Sequence, residues 1–353
     1  MRFVRVISVA VGALAAVVLS AQPAAAHGVG GVQPSNFQTT VDGTTPRVQG
    51  LTVRSVDLGN ELELRNDSGA EVVVLGYQGE PYLRVGRRGV FENRRSPATY
   101  LNRTRNGTTK VPADADPAAA PEWNRIGSGP VARWHDHRVH WMGTEDPPEV
   151  TRAPHERHVI DHWSFQMRRG SQDITVNGDL VWVPGPSPWG WLAGAAAVAV
   201  LVVALSRTRV WRWVLVGALG VLAVSETAHV VGTWTATTAS FASKLGASVY
   251  SLGGVVLAVV ALVWLLVRPP SNAIPAVLFA GLIVAVAGGL ADLTTLTRSQ
   301  LPTDAAAPLA RTEVMLALGL GAGVAAAAAL RLRPPAPPAR RPSAKIEQPA
   351  PVS

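Results

Sequence analysis

Six of the eight histidines fall between positions 135 and 162. The first group sits in Trp134-His135-Asp136-His137-Arg138-Val139-His140-Trp141-Met142. Read as a strand, it points His135 and His137 one way and His140 the other. The second group is His155-x2-His158-x3-His162, which would share one helical face; on a strand only His158 and His162 share a face. Neutral imidazole binds copper, zinc or nickel, and thioether suits Cu(I). Met142 and Met167 are the methionines near these groups. His27 adds a donor pair if the mature chain begins there, because its α-amine and imidazole form one chelate suited to Cu(II). The candidate metal ligands are thus His27, His135, His137, His140, Met142, His158 and His162, for copper first and zinc second. The competing reading makes Asp136 and Arg138 a structural ion pair, the histidines surface or hydrogen-bonding groups, and the two tryptophans core.

A second set of ionisable residues lies in apolar sequence. Glu226 and His229 are three apart and share a helical face. They fall ~20 and ~24 Å along a helix from Trp213, at 1.5 Å per residue. Asp292 falls ~27 Å along the fourth such helix, and Glu313 and Met315 open the fifth. All five then share one depth, the outer half of a bilayer. Ionisable groups cost a few kcal/mol each in hydrocarbon, so they need a reason. An ion or proton site is one. The other is a local Glu226–His229 pair that packs the bundle, with Asp292 and Glu313 at the interface.

The elements that must position these residues follow from composition. Of the 353 residues, 48% are hydrophobic and 16% charged, well below the charge content of a soluble protein. Five apolar stretches, 189–206, 213–231, 245–267, 274–296 and 313–330, each approach the ~20 residues that cross a bilayer core. Arg2 and Arg5, an apolar run over 7–19 and Ala24-Ala25-Ala26 make residues 1–26 a signal peptide, with His27 as the mature N-terminus. Residues 27–187 then form an exported domain. Leu62 and Leu64 alternate with charged neighbours, Asn66-Asp67-Ser68-Gly69 is a turn, and 71–77 is β-branched, which predicts a hairpin. Strands are expected over 47–56 and 81–85, with a second hairpin pairing 159–167 and 173–183. Residues 96–130 read as a surface excursion. The predicted fold is an antiparallel β-sandwich, immunoglobulin-like or cupredoxin-like, followed by an α-helical membrane bundle of five helices over 188–331 and a disordered cytoplasmic tail over 332–353.

Charge orients the bundle. Nine basic residues fall in the loops and tail placed inside, against Lys244, Arg298 and Arg311 outside. The net charge of +8 is therefore a topology signal and not a nucleic-acid face, since residues 27–188 carry 18 basic and 19 acidic groups. The absence of cysteine excludes disulfides and thiol chemistry. No G-x-S-x-G or nucleotide-binding loop marks an enzyme, and there is no internal repeat.

The exported domain resembles an uncharacterised family of actinobacterial envelope proteins. The residues that carry the resemblance are 79–85 (GEPYLRV), 96–102 (SPATYLN), 134–142 (WHDHRVHWM) and 178–184 (GDLVWVP). The order of a β-domain beginning with His27 and then a bundle is also similar to copper-resistance fusions of a CopC-like and a CopD-like domain. Five helices are fewer than a CopD domain has, and no Met-rich motif is present. The analogy implies metal handling and assigns no ligand. The leading expectation is a non-enzymatic plasma-membrane protein that handles a metal ion, copper above all, at its outer face. Its surroundings are the lipid bilayer, and its partner would be another envelope or copper-handling protein. The alternative is an envelope docking or structural protein anchored by its helices.

Topology is directly measurable. A reporter fused after Lys345 is expected to be active only in the cytoplasm, and one in the 233–243 loop only outside. Activity of the Lys345 fusion outside would overturn the five-helix count.

Overall fold

Alternation of apolar and polar residues builds the first part of the molecule. The computed structural model describes residues 32–332; the signal segment, His27 and the tail after Leu332 lie outside the described residues. Eleven strands follow in order: β1 (Phe37–Thr39), β2 (Gly43–Thr45), β3 (Leu51–Val56), β4 (Glu61–Asn66), β5 (Val72–Leu75), β6 (Pro81–Gly86), β7 (Gly89–Asn93), β8 (Trp123–Gly127), β9 (Val131–Trp134), β10 (His158–Arg169) and β11 (Gln172–Trp182). Two short helices, α1 (Ala98–Leu101) and α2 (Pro148–Arg152), interrupt them. All pairings are antiparallel. One sheet runs β1-β11-β10-β5-β6-β7-β8, with β2 also on β11; the other runs β3-β4-β9. Both sheets contribute to one apolar core, where Leu62 and Leu64 of β4 join Val74, Val85, Phe165 and Ile174.

The β10–β11 hairpin forms where the sequence puts it. Trp163, Phe165 and Met167 turn inward, while Ser164, Gln166 and Arg168 stay exposed. The strands expected over 47–56 and 81–85 match β3 and β6. Residues 96–130 lie mostly at the surface, where β8 pairs with β7 as the edge of the larger sheet, but Ser96, Ala98, Thr99 and Asn102 around α1 are buried.

The first predicted hairpin does not form. β4 pairs with β3 and β9, whereas β5 pairs with β6 and β10, so the 66–71 turn carries the chain from one sheet to the other. Asn66 makes that corner. Its side-chain amide donates to the carbonyls of Ala70 and Val85, both at 2.8 Å, and its Oδ1 accepts from Ser68. The alternation on β4 also fails at Glu63, which is buried. The register aligns Arg54, Glu63 and Arg133 across three strands, and both guanidiniums bond the carboxylate, at 2.8 and 2.7 Å. Burial alone would raise the Glu63 carboxyl, but these bonds hold it below the usual carboxylate range.

Apolar sequence of helical length makes the second part. The helices are α3 (Trp189–Ser206), α4 (Trp211–Ala236), α5 (Phe241–Ala247), α6 (Val249–Val267), α7 (Pro270–Ile283) and α8 (Ala307–Leu332). α7 runs on as a π-helix over Val284–Leu290, and a 3-10 turn follows over Leu293–Leu296. Among the described residues, five helical segments are long and apolar enough to cross a membrane, with α7 and its π-extension as one of them. α8 is the central helix. A Cβ at Gly319 would lie 2.7 Å from the Ala195 carbonyl of α3, and one at Gly321 would lie 2.8 Å from the Ala285 nitrogen, so glycine lets α8 sit tightly between its neighbours.

The β-region is seated on one end of this bundle. Ser35 and Gln300 exchange backbone hydrogen bonds, at 3.0 and 2.8 Å. Ser299 donates to Asn36 Oδ1 at 2.9 Å and to the Val183 carbonyl at 2.7 Å. The Asp57 carboxylate accepts from both the backbone and the hydroxyl of Thr238, at 3.1 and 2.7 Å. Asp57 and Leu58 have positive φ values of 51° and 57°, a conformation that non-glycine residues avoid.

Replacing Asn66 with Ala is expected to strand two carbonyl acceptors at the sheet-to-sheet corner. The expected cost is about 2–3 kcal/mol in chemical denaturation of the full chain. Ser68→Ala, which removes one exposed-side bond, is expected to cost under ~1 kcal/mol. Equal effects would show that Asn66 does not hold the corner.

Candidate functional site

The histidine-rich stretch is a loop and not a strand beyond Trp134, since β9 ends there. The strand-face pairing of His135 with His137 therefore does not apply. Asp136 organises the loop. It is 0% exposed and accepts from Trp134 Nε1 at 3.0 Å, from Arg138 N at 3.2 Å and from the Arg138 guanidinium at 2.8 and 2.7 Å. The guanidinium also lies over the rings of Tyr77 and Phe165. This is the ion pair expected from Asp136 and Arg138.

Five imidazoles of the β-region, those of His135, His137, His140, His158 and His162, each have a local partner. His135 Nδ1 lies 2.7 Å from the Asn60 carbonyl, His137 Nε2 3.2 Å from that of Thr104, and His140 Nε2 3.0 Å from that of Arg105. His158 Nε2 lies 2.8 Å from the Ala153 carbonyl, and exposed His162 Nδ1 2.7 Å from Asp179 Oδ1. A ring nitrogen facing a carbonyl must carry a proton to bond it, so it is not free to ligate. A bulge between Val159 and Asp161 also reverses the alternation on β10. His158 pairs with Trp182 and His162 with Asp179, an odd separation on β11, so the two histidines face opposite ways. His155 is exposed in a turn, Met142 is 44% exposed, and Met167 is core. His137 and His140 approach each other, with ring centroids 5.8 Å apart. Among the described residues, no group of three or more His, Asp or Glu is placed to hold a metal ion.

The ionisable residues of the apolar segments do come together. α4 carries Glu226 and His229 on one face. The π-helix delivers Asp292 in the turn that follows it, and the second turn of α8 brings Glu313. His229 Nε2 lies 3.6 Å from Asp292 Oδ2, and His229 Nδ1 lies 3.5 Å from Glu313 Oε2. Each ring nitrogen thus faces a different carboxylate. Glu226, one helical turn before His229, is 3% exposed, and its carboxylate packs on Gly288. A Cβ at Gly288 would overlap that carboxylate, so a side chain there would push Glu226 out of its present place. A π-turn widens the helix by one residue per turn and often marks a functional site. Met315, at the same sequence depth, points elsewhere: it reaches Gly194 of α3.

Sequence reasoning found Glu226, His229, Asp292 and Glu313 but missed Gly288. The Gly288-Gly289 pair in an apolar run was its visible signal. It also missed Thr233, which lines a cleft with His229 and Asp292. Comparison of the chain with protein-family models, curated proteins and solved structures finds no match.

His140 allows a test of the loop. It is 5% exposed, and burial pushes its pKa down to about 4, with the Arg105, His137 and His135 charges adding to the effect against the Arg105 carbonyl bond. The unfolded imidazole titrates near ~6.5. Between these values the unfolded chain binds the extra proton, so stability is full above pH ~6.5 and falls as pH drops toward ~4. The loss is at most ~3 kcal/mol. His140→Gln is expected to flatten that part of the stability–pH curve of the full chain. An unchanged curve would place the titration on another group.

Proposed function

We propose that this chain is an integral membrane protein with an exported antiparallel β-sandwich, five crossing helices and a cytoplasmic C-terminus. Its cluster of Glu226, His229, Asp292 and Glu313, in the outer half of the bundle, binds and relays protons. The observation that carries this reading is the placement of His229, with one nitrogen toward Asp292 and the other toward Glu313. A chelate needs several donors converging on one point, whereas a relay needs an imidazole with an acid–base partner at each end.

A protonated Asp292 gives its proton to His229 Nε2 and becomes a carboxylate. The imidazolium so formed releases the proton on Nδ1 to Glu313. The ring is left in the other tautomer and must reset before another transfer in the same direction. Gaps of 3.5 and 3.6 Å are longer than a hydrogen bond, and a small ring movement or one bridging water closes each. Glu226, one helical turn from His229, adds a third carboxyl to the cluster. Three carboxylates and one imidazolium would carry two net negative charges among apolar helices, so protons bound to the cluster lower its electrostatic cost.

A second reading keeps the exported domain as a copper or zinc handler. One observation favours it: His140 Nδ1 is buried with no hydrogen-bond partner beside the His137 ring. It supplies two donors, and further ligands would have to come from residues now bonded elsewhere or from His27.

Infrared spectroscopy of the full chain in lipid tests the relay. A protonated-carboxyl band should be present, shift in His229→Gln, and lose intensity in Glu313→Gln and Asp292→Asn. Absence of any protonated carboxyl assignable to these residues would sink the proposal.

A further inference from the structure

Exposure within the cluster is graded. The side chains of His229 and Asp292 are 23% and 19% exposed, against 6% for Glu313. The exposed side opens into a cleft of about 270 Å3 whose wall includes His229, Asp292, Thr233 and Thr303. That is room for several waters. Gln33 and Pro34 of the β-region form part of the same wall. Two further clefts adjoin it under the β-region. One of about 460 Å3 shares Leu301, Pro302 and Thr303 with it, and one of about 190 Å3 shares Gln33 and Pro34.

The opposite side of the cluster is closed. Leu222, one turn before Glu226 on α4, is fully buried, as are Leu219, Leu215 and Leu265 beyond it. Val284 of the π-helix packs in the same apolar cluster with Val324 and Ala317 of α8. The side chains of that layer are aliphatic, and at its far edge the Arg212 guanidinium bonds the Leu265 carbonyl at 2.6 Å. A proton crossing it would meet no carboxylate or imidazole among those side chains.

The roof is held by few bonds. Asn36 Oδ1 accepts from Ser299 N, and Ser35 bridges Gln300, just after the turn that carries Asp292. Thr233 and Thr303 lie below these bonds, within the cleft.

We infer that the cluster exchanges protons with the outer compartment alone, through this cleft, and that the Gln33–Asn36 segment of the exported domain is its outer gate. The inference rests on the proton reading of the cluster and adds the side from which the protons come and the element that controls their entry. Leu222 and its neighbours are the floor. In this conformation the protein reads or stores external protons and does not conduct them.

The natural absence of cysteine makes the test clean. Single cysteines are introduced into the full chain in intact cells and treated with a membrane-impermeant maleimide from outside. The rate at Ser171→Cys, in the exposed β10–β11 turn, is the reference. Thr303→Cys and Thr233→Cys should label from outside intact cells and be protected from reagent added to the medium around inverted vesicles, which present their cytoplasmic face. Leu222→Cys and Val284→Cys should react ~100-fold more slowly than the reference from either side. Adding Asn36→Ala should speed labelling of Thr233→Cys by ~5-fold, the effect of one lost hydrogen bond on an opening equilibrium. Thr303→Cys serves in that comparison if Thr233→Cys fails to fold. Labelling of the cleft from inside, or of the floor at the reference rate, would overturn one-sided access. An unchanged rate with Asn36→Ala would overturn the gate. Labelling reports access whether or not the carboxyls titrate, so the infrared result stands or falls separately.

Discussion

One imidazole shared by two carboxylates, amid apolar helices, constrains the rest of this molecule. A lone carboxylate in such surroundings costs several kcal/mol, and a partner brought from another helix offsets part of that cost. His229 on α4 meets Asp292 after the π-helix and Glu313 on α8, so the contact ties three separate elements together. It fixes how α4 and α8 are rotated, because either helix turned by one residue would carry its charged group about 100° away from the cluster. The π-turn and Gly288 follow from the same demand. A regular α-helix through 284–290 would place the next residues about 100° away, and any side chain at Gly288 would take the space of the Glu226 carboxylate.

The same constraint explains where the β-region is seated. α4 ends at Ala236, and Asp57 holds Thr238 two residues later. The turn after Asp292 leads to Ser299, which Asn36 and Val183 hold. Arg311, two residues before Glu313, donates to the carbonyls of Thr295 and Arg298 at 3.2 and 2.9 Å. Each element that supplies a member of the cluster is therefore fastened at the same rim. α4 and the turn after Asp292 are tied to the β-region directly, and α8 is tied to that same turn through Arg311.

The parts legible in sequence were those set by local pattern. Trp163, Phe165 and Met167 alternate because one face of β10 is buried, and five apolar runs become helices because their backbone bonds are satisfied within the segment. The cluster was legible for a related reason: four ionisable residues at one depth stand out when helical rise alone sets depth. Long-range contacts were not legible. The turn at 66–69 looks like a hairpin turn until Asn66 is seen bonding the Val85 carbonyl, 19 residues away. The paths of His135, His137 and His140 depend on the carbonyls of Asn60, Thr104 and Arg105, which no spacing rule reveals. The bulge that separates His158 from His162 leaves no mark in composition.

Two kinds of histidine emerge, and their partners distinguish their chemistry. A ring bonded to a backbone carbonyl must keep its proton on that nitrogen, because the carbonyl can only accept. His135, His137, His140 and His158 are each held in this way, in one tautomer, and their rings serve the loop that contains them. His229 differs because neither partner fixes the proton. A carboxylate accepts when ionised and donates when protonated, so with Asp292 on one side and Glu313 on the other both tautomers are sustained. Changing between them requires only that one carboxyl gain the proton the other loses. That near-equivalence is what a relay needs and what a structural bond to a carbonyl forbids. It is the physical reason to look for chemistry at the one histidine in the bundle, although six others form the denser cluster in the sequence.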